Sequence, residues 1–364
     1  MVGRAGWLAA EVVRPGVLRS GGFLAASTDG LWRRRGRPAN LHARPVPPIL
    51  PVQRRELVVV TGRALVDQDV RQGRSISLFR GVHVDSRMRD DFLTRCRAAL
   101  LTQGPDAVLS HRTAAVVLGL RWLPARWATS ELSIDVAVPP APTTTRRRPG
   151  LCLWERLIAP DERVDVDGLA CTSPTRTLVE LARETKLPAL LVVQLMDGAI
   201  RDERTSVEAL YDCTLRLRGH ANIRRARELA LRARPGVDSP METRLRLTLE
   251  DGGVTGLVTD VRIEEDGRLL ARSELADPRL LLWGEYDGYD VHTQQGVFDA
   301  DRPRHRWVEG RGWKVMRFSN GDFATGAICR DWLYEAALAP ARIAAMSPSR
   351  SPEVAEAWRL LGLR

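Results

Sequence analysis

A chain of 364 residues, 44% hydrophobic, is long enough to bury a sizeable core and to form two or three domains. Its five cysteines are scattered, odd in number and never paired as Cys-x-x-Cys, which argues against a disulfide framework and a zinc cage, and no apolar stretch approaches a membrane span. The net charge of +10 suits a polyanionic partner, DNA first, although lysine occurs only at Lys186 and Lys314, an arginine skew that GC-rich coding also produces. Reduced thiols and the lack of a signal-peptide pattern set the expectation of a cytoplasmic protein with no membrane partner.

Residues 1–54 are rich in Arg, Gly and Pro and read as a basic, disordered arm. Order is expected from residue 55. Leu65 to Gln72 suit a short helix and Ser75 to Val84 a hairpin, together a degenerate winged-helix-like unit over 55–90. Residues 91–234 read as a mixed α/β domain. Asp91 to Thr102 form an amphipathic helix, and a second helix begins at Ser110 as cap and stops at Gly119. His111, in its first turn, is expected at the surface or in a capping role. Leu132 to Val138 alternate like a strand, Thr143 to Gly150 form a basic loop, and Asp165 to Leu169 mark a turn between strands. Ser173-Pro174 opens a further helix. No catalytic constellation is apparent in this region. Residues 186–234 are helical and end in the basic run Asn222 to Arg234, where Arg224 and Arg225 are candidates to lie along a phosphate backbone.

Pro235-Gly236 marks a boundary, expected to separate this region from a domain over 235–340. Ser239-Pro240-Met241-Glu242 carries an N-cap, a first-turn proline and the Ser-x-x-Glu spacing of a capping box. Leu269 to Ala276 read as a strand carrying Glu274. The apolar run Leu280 to Trp283 reads as a strand buried on both faces, and it drives directly into Glu285 and Asp287. Residues two apart share a face of a strand, so Trp283, Glu285 and Asp287 project together, with His292 following. Acids at the end of a buried strand are costly unless paired, and a hard cation is the usual partner. Phe298 to Glu309 read as a basic helix, Gly312 to Phe318 as a strand, 319–338 as a closing helix, and 341–364 as a tail.

Taken together, Ser-Pro-Met-Glu-Thr-Arg-Leu-Arg at 239–246, Ala-Arg-Ser-Glu-Leu-Ala at 271–276, Glu-Tyr-Asp-Gly at 285–288, His292, Asp301-Arg302-Pro303-Arg304 and Gly312 to Phe318 make this segment resemble the endonuclease-like domain related to very-short-patch-repair endonucleases, within the PD-(D/E)XK superfamily. The N-terminal half, through Phe79 to Val84 and the order of its elements, resembles the AbiEi-type antitoxin arrangement. The resemblance implies an α/β protein: a winged-helix-like and mixed N-terminal region, then a restriction-endonuclease-like αβββαβ domain. It further implies Mg²⁺ (or Mn²⁺) held by Glu274 and Glu285, and a catalytic set of Glu242, Glu274, Glu285, Asp287 and His292. Arg302 and Arg304, like Arg224 and Arg225, are expected to bind nucleic acid. DNA is the implied partner, with a toxin or defence-system partner beside it. Asp287 stands where the superfamily carries its lysine, which is usual for this branch, but Glu274 stands where the family carries Asp and the winged helix is degenerate, so two functions are open: phosphodiester hydrolysis, or DNA-binding regulation by a decayed nuclease.

Overall fold

The computed structural model describes residues 50–129, 132–140, 149–265, 268–287 and 305–345, all within one compact unit. Residues 1–49 of the expected arm, the core of the basic loop, the segment with His292, Arg302 and Arg304, and most of the tail lie outside these residues; residues 50–54, expected to be part of the disordered arm, instead hold a short strand and the start of a helix. The protein is mixed α/β, as composition and pattern lead one to expect.

Nearest the N-terminus, β1 (Val52–Gln53), α1 (Arg54–Thr61), α2 (Arg63–Arg71), β2 (Ser75–Phe79) and β3 (Val82–Asp85) build a small sheet of order β1-β3-β2. The hairpin and α2 fall where the pattern places them. Helix α1 was not marked by its sequence, because its run of valines favours strands over helices.

The middle region is a five-stranded sheet of order β6-β5-β4-β8-β7, made by β4 (Val108–Leu109), β5 (Ile134–Val138), β6 (Leu151–Glu155), β7 (Arg163–Val166) and β8 (Leu169–Thr172). The β7–β8 turn has positive φ at both Asp167 and Gly168, the conformation a tight two-residue hairpin requires. On this sheet pack α3 (Phe92–Gln103) and α4 (His111–Val117), and against α4 and one another pack α5 (Pro174–Arg183), α6 (Ala189–Arg201), α7 (Val207–Arg216) and α8 (Ile223–Arg232). His111 corrects the expectation of a surface residue. It is 2% exposed, stacks on Trp154 with ring centroids 3.8 Å apart, and its Nδ1 lies 3.0 Å from Ser110 Oγ, so the hydroxyl expected to cap α4 serves the imidazole instead. Burial holds the His111 pKa down to about 4, so the ring packs as a neutral aromatic.

The C-terminal region runs α9 (Pro240–Asp251), β9 (Val258–Glu265), β10 (Arg268–Asp277), β11 (Leu282–Tyr286), the helical residues 305–309 (α10), and β12 (Lys314–Phe318), the αβββαβ order. Its sheet has the order β12-β11-β10-β9, antiparallel except between β11 and β12. One face packs on α9 and on α12 (Ala327–Ala345) through Leu245, Leu249 and Trp332, and the other on α10 through Val308, with Trp283 and Trp313 meeting edge to face. Gly284 is required in β11 because a Cβ there would come within 2.9 Å of the Trp332 ring. The closing helix divides into α11 (Asn320–Thr325) and α12, and α12 continues through Pro340 to Ala345, beyond the expected start of the tail.

The expected boundary at Pro235-Gly236 is not a free linker. Val237 is buried, and Leu247 of α9 packs into the middle region's core. Asp197 of α6, fully buried, accepts hydrogen bonds from Arg234 N (2.8 Å), Thr243 Oγ1 (2.8 Å) and Arg246 Nη2 (2.9 Å). Arg246 is itself 1% exposed, and its Nη1 donates to the Arg232 carbonyl and Glu250. The sequence could not show this because the two ionic partners are far apart in the chain. Removing one of them strands a buried charge. Arg246→Met should therefore cost about 3–5 kcal/mol in urea unfolding, whereas adding Asp197→Asn, whose Oδ1 accepts from Arg234 N while its Nδ2 donates to the Thr243 hydroxyl, should recover most of the loss.

Candidate active site

Three elements bring carboxylates to one end of the C-terminal sheet. Ser239 caps α9, its Oγ accepting from Glu242 N at 3.2 Å. The second half of the expected capping box is displaced by one residue: Glu242 Oε2 accepts from Asp238 N at 2.9 Å rather than from Ser239 N. On the sheet, the β10–β11 pairs Leu275↔Gly284 and Ala276↔Trp283, carried one step further, set Glu274 opposite Glu285. Glu274 Oε2 accepts from Tyr286 N at 2.9 Å.

Glu285 is 7% exposed. Its Oε1 accepts from Trp283 Nε1 at 2.9 Å, as expected for side chains two apart on one face, and its Oε2 lies 2.8 Å from His305 Nε2. Asp287 is ion-paired with Arg317 of β12 at 2.8 Å. On the other flank, Asp238 pairs with Arg201 of α6 and Arg272 of β10, and Arg272 also pairs with Asp260.

The electrostatics show that these acids crowd one another. Burial, and then the charges of Glu242, Glu285 and Asp287, push the Glu274 pKa up to about 7 against the stabilising Tyr286 N–H. Burial likewise raises Glu242 to about 7; the Ser239 hydrogen bond and the charges of Arg272 and Arg201 oppose the shift, and Asp260 adds to it. Two carboxyls poised near neutrality beside a third are short of positive charge.

Glu242, Glu274, Glu285 and Asp287 are thus gathered, while His292, Arg302 and Arg304 lie outside the described residues. Of the helix arginines, Arg224 is exposed, but Arg225 corrects its expected role: its guanidinium donates to the carbonyls of Ala182, Glu184 and Leu187 and serves the fold rather than a phosphate. His305, Asp238 and Arg272 were missed. Arg272 was open to discovery, since it sits two residues from Glu274 and so shares its face. No pattern in the sequence points to His305 or Asp238.

Among the described residues, no group of three or more His, Cys, Asp or Glu side chains forms a ready metal cage. The donor set of Glu274 and Glu285 is all oxygen. It fits a hard cation that keeps most of its water, as Mg²⁺ does, better than a metal that requires a closed nitrogen or sulfur cage.

Two proteins from different strains of Mycobacterium tuberculosis, each named only as an uncharacterized protein, are 27% identical to the chain over 256 residues, spanning 70% of it and 89% of each relative. No family model matches the chain. No helix among the described residues is long and apolar enough to cross a membrane.

The raised pKa values set a pH dependence. Glu242 and Glu274 have pKa values of about 7 in the folded chain against the 4.5 of an ordinary glutamate, so the folded state holds the extra protons. Their contribution to stability is complete below the unfolded pKa and is lost as pH rises through 7. Urea midpoints should therefore fall from about pH 5 to about pH 8, and Glu274→Gln should remove roughly half of the decline. An unchanged decline in the variant would show that Glu274 is not the group being titrated.

Proposed function

We propose that the chain is a DNA-binding protein with a Mg²⁺-dependent endonuclease-like domain of the very-short-patch-repair-related type, following an AbiEi-type antitoxin-like region. The observation that carries this reading is the convergence of Glu242, Glu274 and Glu285, from a helix and two adjacent strands, at one end of an αβββαβ sheet. The β1-β3-β2 unit, with two helices before its hairpin, supports the winged-helix part of the reading.

In phosphodiester hydrolysis a bound Mg²⁺ (or Mn²⁺) would polarise the phosphoryl oxygen and lower the pKa of water. Glu274 and Glu285 would hold it. Glu242, with a pKa near neutrality, suits taking a proton from the attacking water. His305 and Trp283 orient Glu285, and Arg272 fixes the strand two residues from Glu274. DNA is the partner, and a toxin or defence-system protein is a second partner consistent with the AbiEi-type half.

A second reading, a non-enzymatic DNA-binding regulator, is favoured by two observations: both oxygens of Glu285 already have hydrogen-bonding partners, and Glu274 across from it is one methylene longer than the family's Asp. Plasmid nicking separates the two. Glu285→Gln should abolish Mg²⁺- or Mn²⁺-dependent nicking, and Glu274→Asp should raise it, since metal-site chemistry is sensitive to displacements of roughly an ångström. A wild-type chain and a Glu274→Asp variant that both bind DNA, yet neither bind metal nor cut, would leave the regulator as the function.

A further inference from the structure

The N-terminal unit carries a basic groove that neither the candidate active site nor the basic helix accounts for. It has a volume of about 730 Å³ and runs between the starts of α1 and α2, the β2–β3 turn and the end of α3. Arg54 and Arg55 enter it from α1, Arg63 from α2 and Arg80 from the hairpin turn, and no acidic residue among the described residues lines it. Arg54 is partly neutralised by Asp67. Arg55, Arg63 and Arg80 are exposed and hold no ion pair among the described residues. On the opposite wall, Gln103 Nε2 is enclosed and has no hydrogen-bond acceptor.

We infer that this groove binds the phosphate backbone of duplex DNA. Guanidinium groups from three separate elements suit a run of phosphates, because each planar fork matches phosphate oxygens and the spread of charge matches an extended polyanion; the charge of Arg63, like that of Arg54, is felt by Asp67, which leaves Arg55 and Arg80 the least compensated. The first turns of α1 and α2 both border the groove, and their positive dipole ends favour an anion. The turn itself is anchored, since Arg54 N donates to Gly81 O at 2.7 Å, so Arg80 projects from a fixed support. An enclosed donor such as Gln103 Nε2 is a cost to the free protein that a phosphate oxygen would relieve. The groove lies far along the chain from Arg224. It therefore assigns DNA contact to residues that the basic runs of the sequence do not single out.

This inference rests on the DNA-binding part of the proposed function and is independent of its nuclease part. The test uses the full chain in EDTA with a short fluorescein-labelled duplex, its affinity followed by anisotropy across a salt series. The triple variant Arg55→Ala/Arg63→Ala/Arg80→Ala should lower the magnitude of the log–log slope by about 0.9 for each lost contact, and the corresponding triple lysine variant should retain the slope. Thermal melts check that the variants fold. Should the alanine triple be unfolded, the single variants Arg55→Ala and Arg80→Ala, at exposed positions, should each lower the slope by about 0.9. A wild-type slope in the folded alanine variants, or no DNA binding by the natural chain at low salt, would overturn the inference. Nicking assays on the same proteins separate the two readings: Glu285-dependent nicking with an unchanged slope rejects the groove alone, and a lowered slope without nicking rejects the nuclease alone.

Discussion

The buried pair of Asp197 and Arg246 is the constraint on which the joint between the two halves depends. A charge with no access to water is costly unless it is paired and hydrogen-bonded. Here Asp197 accepts from Arg234 N, Thr243 and Arg246, so the end of α8, the start of α9 and the middle of α6 meet at one carboxylate. Because α9 also carries Glu242, the middle region positions the candidate site directly. Arg201 extends the link, reaching from α6 to Asp238, whose backbone N–H holds Glu242.

The same logic governs the other buried charges. In the middle region, Arg176 is enclosed by Glu162 and Glu180, and Glu180 is shared with Arg183, so these buried acids and bases satisfy each other. Where acids face acids the pKa rises: to about 7 at Glu274 at the end of the C-terminal sheet, and to about 7 at Glu184 of the middle region, which burial and the charge of Asp135 push up. Collecting carboxylates in this way costs stability rather than adding to it. The hydrogen bonds from Trp283 and His305 orient Glu285 without neutralising Glu274 on the opposing strand.

Much of the fold and part of the site follow from local chemistry, which a sequence displays openly. Ser239-Pro240 and Ser173-Pro174 start helices because a hydroxyl acceptor and a preset φ act within a single turn. Alternation along Trp283, Glu285 and Asp287 sets one face of β11, and Asp167-Gly168 closes a hairpin through backbone freedom alone. These are interactions between near neighbours, so residue types and spacing suffice to identify them.

Tertiary structure decided what depends on distant partners. Burial turned His111 from an expected surface residue into a neutral core ring, and the carbonyls at the end of α5 claimed Arg225. The strand register set Glu274 against Glu285, while chain path alone brought His305 to Glu285 and Asp197 to Arg246. The sequence by itself determined an α/β chain with carboxylates at the ends of a helix and two strands. Which of those groups share a charge, a proton or a hydrogen bond was decided by packing, because a carboxylate's pKa and partners depend on what surrounds it in space rather than on what precedes it in the chain.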